Sequence, residues 1–169
     1  MLNQYTTRLL RSYQQNYNIK AIENHPLPLI ATADLEMRNS RYMLSKKAII
    51  WSLEAYEYCY IFQVDNLSAD ICKNCLDFIA EDGFNKVKPN SEHMVSYITG
   101  IFLCNNYNEQ AITILTKYKK RKSFKFSFHG WAELCTVLVK INSNEQLDFF
   151  SNKAGKVNIK ELKKILCKQ

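Results

Sequence analysis

Leu29-Ile30-Ala31-Thr32-Ala33-Asp34-Leu35-Glu36-Met37-Arg38-Asn39-Ser40-Arg41 alternates apolar and mixed side chains at a period of two. That spacing sets one face of an extended chain against a core and leaves the other partly wet. Leu29, Ala31, Ala33, Leu35 and Met37 form the apolar set, with Ile30, Thr32, Asp34 and Glu36 between them. Because Asn tolerates positive φ, the Asn39-Ser40 pair predicts a tight hairpin turn, with a returning strand over 41–53. Tyr56, Tyr58, Tyr60, Phe62 and Val64 then share one face of a third strand, and Cys59 and Ile61 the other. A three-stranded meander is the expected centre of the fold.

Working outward, Leu2, Tyr5, Leu9, Leu10, Tyr13 and Tyr17 recur at helical spacing within residues 1–22, which also hold Arg8, Arg11 and Lys20 and no acid. Such a composition also suits a transit peptide, but the apolar stripe predicts a first helix packed on the core. His25-Pro26-Leu27-Pro28 forces an extended entry to the first strand. After the meander, Ser68 predicts the cap of a helix over 69–82 that Gly83 ends. Residues 84–93 read as a linker. Beyond it come a strand over His93–Cys104, a helix over Asn108–Lys120 and a strand over Phe124–Phe128 that turns at His129-Gly130. A strand over Ala132–Ile141, a short one over Leu147–Phe150 and a closing helix over Asn158–Cys167 complete the chain. The order α-βββ-α-β-α-ββ-β-α, with short turns between successive strands, predicts an α+β fold in which helices cover a largely antiparallel sheet. One domain is expected over 1–169, divided by the linker into sub-blocks 1–83 and 93–169.

The 169 residues suffice to close one hydrophobic core without disulfides or metals. Charge is unevenly spread along them. Residues 1–110 carry 10 Lys or Arg and 12 Asp or Glu, whereas residues 111–169 carry 13 and 4. A net charge of +7 concentrated in the last third points to a polyanion, nucleic acid or an acidic protein, as partner. No run reaches the ~18 apolar residues of a membrane span, so no membrane partner is expected. The six Cys sit mostly inside periodic apolar segments, as reduced cysteines do, and a cytoplasmic location is the corresponding expectation.

Cations and aromatics meet in one place. Lys117, Lys119, Lys120, Arg121, Lys122 and Lys125 lead into Phe124, Phe126 and Phe128, and these six cations, with the lysines of 153–168, are the candidate binding residues. Lys122, Phe124 and Phe126 match positions one, three and five of the aromatic strand of RNA-recognition domains, where bases stack on exposed rings. Ser123, Lys125, Ser127 and His129 depart from that pattern. Since a strand needs one face toward the core, Phe124, Phe126 and Phe128 are expected to be that face, with base stacking as the alternative.

No complete catalytic or metal-ligand pattern can be assembled, which favours a non-enzymatic protein with no cofactor or metal. The enzymatic alternative is a hydrolase or nuclease at the first hairpin. Asp34 and Glu36 share a strand face, and the predicted turn puts Ser45 and Lys47 opposite Asp34 and Thr32, giving two carboxylates and a lysine suited to hard-metal phosphate chemistry. Cys72 and Cys75 have redox or zinc spacing, but Cys72 falls a turn inside a helix on its apolar side, which argues for core packing. Asn152-Lys153-Ala154-Gly155-Lys156 lacks the remaining residues of a phosphate loop and reads as a polar turn entering the last helix. A third expectation is a homodimer, formed over apolar strand surface that the helices leave bare.

Tyr42-Met43-Leu44-Ser45-Lys46-Lys47-Ala48, Phe128-His129-Gly130-Trp131 and Phe149-Phe150-Ser151-Asn152-Lys153-Ala154-Gly155-Lys156 resemble a small uncharacterised domain family of Gram-positive anaerobes. The resemblance covers most of the chain. It implies a bacterial cytoplasmic protein and carries no activity with it.

Overall fold

A computed structural model describes residues 1–40 and 52–167. Among these residues twelve elements follow in order: α1 (Leu2–Tyr13), β1 (Asn18–Ala21), β2 (Leu29–Ser40), β3 (Ser52–Leu67), α2 (Ala69–Lys86), β4 (His93–Tyr107), α3 (Glu109–Lys117), β5 (Arg121–Ser123), a 3-10 turn at Lys125–Ser127, β6 (Trp131–Ile141), β7 (Leu147–Ser151) and α4 (Lys156–Leu166). The seven strands make one mixed sheet in the order β1-β2-β3-β4-β6-β5, with β7 beside β5 on the same edge of β6. It is an α+β fold in which four of the six strand pairings are antiparallel and the two central ones, β3 with β4 and β4 with β6, are parallel. The expected sheet was more uniformly antiparallel. The parallel pairs arise because α2 and α3 carry the chain back across the sheet before the next strand starts, which a short turn cannot do.

Strand parity behaves as the sequence predicts except at Leu29, which lies in the opposite core from Ala31 and Ala33 because the register shifts between Leu29 and Ala31. Tyr60 and Phe62 join Cys72, Cys75, Leu76, Ile79, Ala111 and Leu115 in the core under α2 and α3. Ala31, Ala33, Cys59 and Ile61 face the other way, into a second core with Leu2, Tyr5, Leu9 and Tyr13 of α1 and Leu162 and Leu166 of α4. Arg8 of α1 ties the two helices of that layer by donating Nη1–H to the Leu166 carbonyl at 2.8 Å. β4 is buried on both faces between these cores, which its continuous apolar run requires.

Several boundaries move. The first helix stops at Tyr13, and Asn18–Ala21 becomes edge strand β1, whose Asn18 and Lys20 pair with Asp34 and Thr32. Asn39 and Ser40 do not turn: they remain in β2, opposite Leu53 and Ser52 of β3. The returning strand is thus β3 itself, and Asp34 and Thr32 lie opposite Tyr58 and Tyr60 instead of Ser45 and Lys47, which are outside the described residues. Ser68 caps α2 as predicted, its Oγ accepting from the Ile71 amide at 3.2 Å. Gly83, however, does not end that helix. A Cβ there would stand 2.4 Å from Ile98 Cγ2, so this glycine lets α2 close on β4, and the helix runs on to Lys86.

Candidate functional site

The segment after α3 holds the largest departure from expectation. Asn108 caps α3 with its side chain on the Gln110 amide, and the helix gives way at Tyr118 to extended chain. Arg121–Ser123 pairs with Trp131–Glu133 of β6, and the chain then leaves the sheet instead of continuing as a strand. Lys125, Phe126 and Ser127 take φ values of 45°, 52° and 73° in succession. Left-handed conformation crowds Cβ against the backbone and costs about 1–2 kcal/mol for each non-glycine residue, so this loop is held by its surroundings.

Those surroundings are specific. The Phe124 amide donates to the Gly130 carbonyl at 3.0 Å and the His129 amide to the Phe124 carbonyl at 3.2 Å, closing the loop at its base. Gly130, at φ 67°, lies so close to β4 that a Cβ would meet the Met94 carbonyl oxygen at 2.1 Å. Beneath it, the buried His93 ring touches the His129 carbonyl through Nδ1 at 2.6 Å and the Ser96 hydroxyl through Nε2 at 2.9 Å. A carbonyl only accepts, so Nδ1 carries a proton and donates to His129.

This geometry breaks the strand alternation on which the Phe expectation rested. Phe124 does turn inward, its ring edge-on to His93, but Phe126 is 97% exposed and Phe128 83% exposed. The cations that precede and accompany them in the chain are exposed as well: Lys117, Lys119, Lys120, Arg121, Lys122 and Lys125 all face solvent. Three rest on rings, Lys120 over Phe84 at 5.7 Å, Arg121 over Trp131 at 4.8 Å and Lys122 over Phe124 at 5.6 Å, distances at which a ring face attracts a cation. The second basic segment occupies a different element. Lys156, Lys160, Lys163 and Lys164 line the outer side of α4, across the sheet from α2 and α3.

A concave region opens on the α1/α4 face, where those helices leave the first residues of β3, β4 and β6 uncovered. Glu57, Tyr97 and Glu133 stand side by side across these strands, and with Leu35, Met37, Tyr17, Cys135, Val157, Asn158 and Glu161 they line a cleft of about 490 Å³. The bare sheet surface expected to seat a second copy is therefore acid-lined here. Glu57 is only 8% exposed and accepts three hydrogen bonds, from the Tyr17 hydroxyl at 2.7 Å, the Thr99 hydroxyl at 2.9 Å and the Asn158 amide at 3.2 Å. Burial first, and the charge of Glu57 second, push the Glu161 carboxyl above its ordinary range. Burial, then Glu57 and Glu133, push the Cys135 thiol up to about 12, which leaves no thiolate for nucleophilic work at neutral pH. Sequence reading passed over Glu57, although its parity with Cys59 and Ile61 places an acid on an otherwise apolar strand face.

The remaining candidates lie elsewhere in the fold. Asp34 has Lys86 of α2 at 4.0 Å, and Lys86 reaches Asp82 at 3.3 Å while lying over the rings of Tyr58 and Tyr60. Glu36 is exposed two residues along the strand, and Lys47 is outside the described residues. Among the described residues no group of three or more His, Cys, Asp or Glu is arranged to hold a metal, and no helix is long and apolar enough to cross a membrane. Cys72 and Cys75 are fully buried, and burial raises both thiols to about 12, as suits core residues. Asn152 is a buried hub: it accepts from the Thr136 and Gly155 amides at 3.1 and 2.7 Å and donates to the Tyr118 and Leu134 carbonyls at 3.0 and 2.9 Å. Neither a curated protein nor a solved structure matches the chain. Residues 1–164 do match the family DUF8052, a domain of unknown function, and the chain belongs to that family.

Proposed function

We propose that this chain is a non-enzymatic binding module that holds single-stranded nucleic acid at the 117–128 segment. The observation that carries the reading is the display of Phe126 and Phe128 on a left-handed loop amid exposed cations. Phosphates need the cations and unpaired bases need ring faces, and a single strand offers both along its length. Arg121, laid over Trp131, adds a planar charged surface of the same kind. An acidic protein partner would use the lysines with little need for two naked rings.

Labelled oligo-dT and oligo-U titrated against the protein at about 50 mM and about 200 mM salt test the reading, because counterion release makes such binding fall steeply between those concentrations. Stacking is worth about 1–3 kcal/mol per base, so Phe126→Ala and Phe128→Ala should each weaken binding about tenfold with little change in salt slope. Lys122→Ala or Lys125→Ala should flatten the slope instead. Absence of retention at the lower salt, or equal binding by the Phe variants, rejects nucleic acid as the ligand. Anionic lipid vesicles run in parallel separate a membrane surface from a nucleic acid.

A further inference from the structure

We infer that the single strand held at the aromatic loop continues along the β5/β7 edge of the sheet onto α4, so that one ligand engages both basic segments; the inference rests on the nucleic-acid reading of the loop. Its starting point is the side chain of Asn152. That side chain accepts from the Gly155 amide at 2.7 Å and donates to the Tyr118 carbonyl at 3.0 Å. Lys117 and Lys119 flank Tyr118, and Lys153 and Lys156 lie within two residues of Gly155. Segments 117–125 and 153–164, separated in the chain, therefore meet end to end at one buried residue.

The sheet register gives that meeting a direction. β5 and β7 lie along the same edge of β6. Lys122 stands opposite Ala132, the Lys120 carbonyl accepts from the Leu134 amide at 2.9 Å, and Asn152 accepts from the Thr136 amide at 3.1 Å. Farther along, Lys163 rests over Phe149 at 5.4 Å, and Phe149 pairs with Val139. Cations thus follow β6 in order from Trp131, beside the loop, to Val139, a run of about 26 Å at about 3.3 Å per residue.

The α4 cations gain little from the fold itself. Lys153, Lys156, Lys160, Lys163 and Lys164 are exposed, and none forms an ion pair among the described residues, although the charge of Lys164 does act on the Glu161 carboxyl. Lys156 opens α4 with no acid in the first turn, where the positive end of the helix dipole repels a cation. Charges that break a local rule without a compensating contact are the mark of a functional surface. A compact anion spans a small part of such a run, whereas a single strand carries a phosphate at every nucleotide.

Fluorescence anisotropy of the intact chain with labelled oligo-dT of about 5 and about 15 nucleotides, near the two ends of the range that single-strand sites cover, decides the matter. The longer strand should bind more tightly and with a steeper salt dependence, since it alone reaches α4. Lys156→Gln combined with Lys160→Gln removes two exposed cations of the run. For the longer strand that pair should lower the salt slope by about 1.4 and the affinity at about 100 mM salt about 20-fold, with the shorter strand unchanged. Lys20→Gln combined with Lys73→Gln removes the same charge from β1 and α2, away from the run, and should change neither. Phe126→Ala should weaken both lengths. Equal salt slopes for the two lengths, an unchanged longer strand in the Lys156 and Lys160 variant, or an equal loss in the Lys20 and Lys73 variant overturns the inference. Binding of the shorter strand that still depends on Phe126 would then leave the reading of the loop standing, whereas binding of neither length rejects both.

Discussion

The 124–130 loop and the Glu57 cleft belong to the same end of the sheet, yet they are built in opposite ways. The loop leaves β5, rejoins the sheet at the start of β6 and rests on the start of β4, and the cleft opens on Tyr97 and Glu133 a few residues along those strands. One region is convex, cationic and strained, with rings pushed into solvent. The other is concave and anionic, its central carboxylate nearly buried and fully hydrogen-bonded. The difference teaches that charge partitioned along a chain is not charge partitioned in space. Glu133 and Glu161 come from the basic last third of the sequence, and the sheet register brings the first, and α4 the second, to the same cleft as Glu57 from the acidic first part.

The largest expected effect comes from cutting the link between the two regions. Asn152 ties the carbonyls of Tyr118 and Leu134, upstream of the loop and on β6, to the Gly155 amide that opens α4 beside the cleft. Asn152→Ala removes the side-chain partner of four backbone groups, three of the bonds buried, and should cost about 3–5 kcal/mol in denaturant unfolding. A loss under about 1 kcal/mol would mean the two regions are held independently.

Phe126→Gly sharpens the contrast from the loop side. Glycine takes the left-handed conformation without strain but loses more chain entropy on folding, so stability should rise by about 0.5–1 kcal/mol while oligonucleotide affinity falls. A ring with a packing role would give a drop in stability instead.

The smallest effect concerns Glu161. Its carboxyl is raised in the folded protein by burial and by Glu57, so the folded state disfavours the charged form. The penalty is present above the folded pKa and is relieved as pH falls toward the ordinary 4.5. Glu161→Gln should therefore raise the melting temperature at neutral pH by on the order of one degree, screened as the site is by solvent, and by nothing below that value. An equal gain at every pH would assign the effect to packing.

Much of the fold was legible where local chemistry decides it. Ser68 announced its helix because a side-chain acceptor at that position satisfies an amide that has no other partner. Tyr60 and Phe62 declared their face against Cys59 and Ile61 because parity in a strand is geometric. Strand direction was harder, since periodicity is the same up or down a sheet and only the intervening helices α2 and α3 reveal it. The Phe124–Phe128 turn had no local signal at all. Three bulky or polar residues adopt a conformation usually left to glycine, and they do so because Gly130 and His93, distant in pattern, clamp the loop base. Glu57, by contrast, was readable as an acid on an apolar face.

The parallel pairing of the three middle strands has a kinetic consequence. Tyr60 meets Gly100 and Gly100 meets Thr136, so about 40 residues of chain must be looped for each contact before any ladder bond compensates the lost entropy. The antiparallel β2–β3 pairing closes a much shorter span, from Ser40 to Ser52 at its tip. Refolding should thus begin at that hairpin and wait on the helical crossovers, which places the chain among the slower α/β folders, with relaxation on the order of milliseconds to seconds.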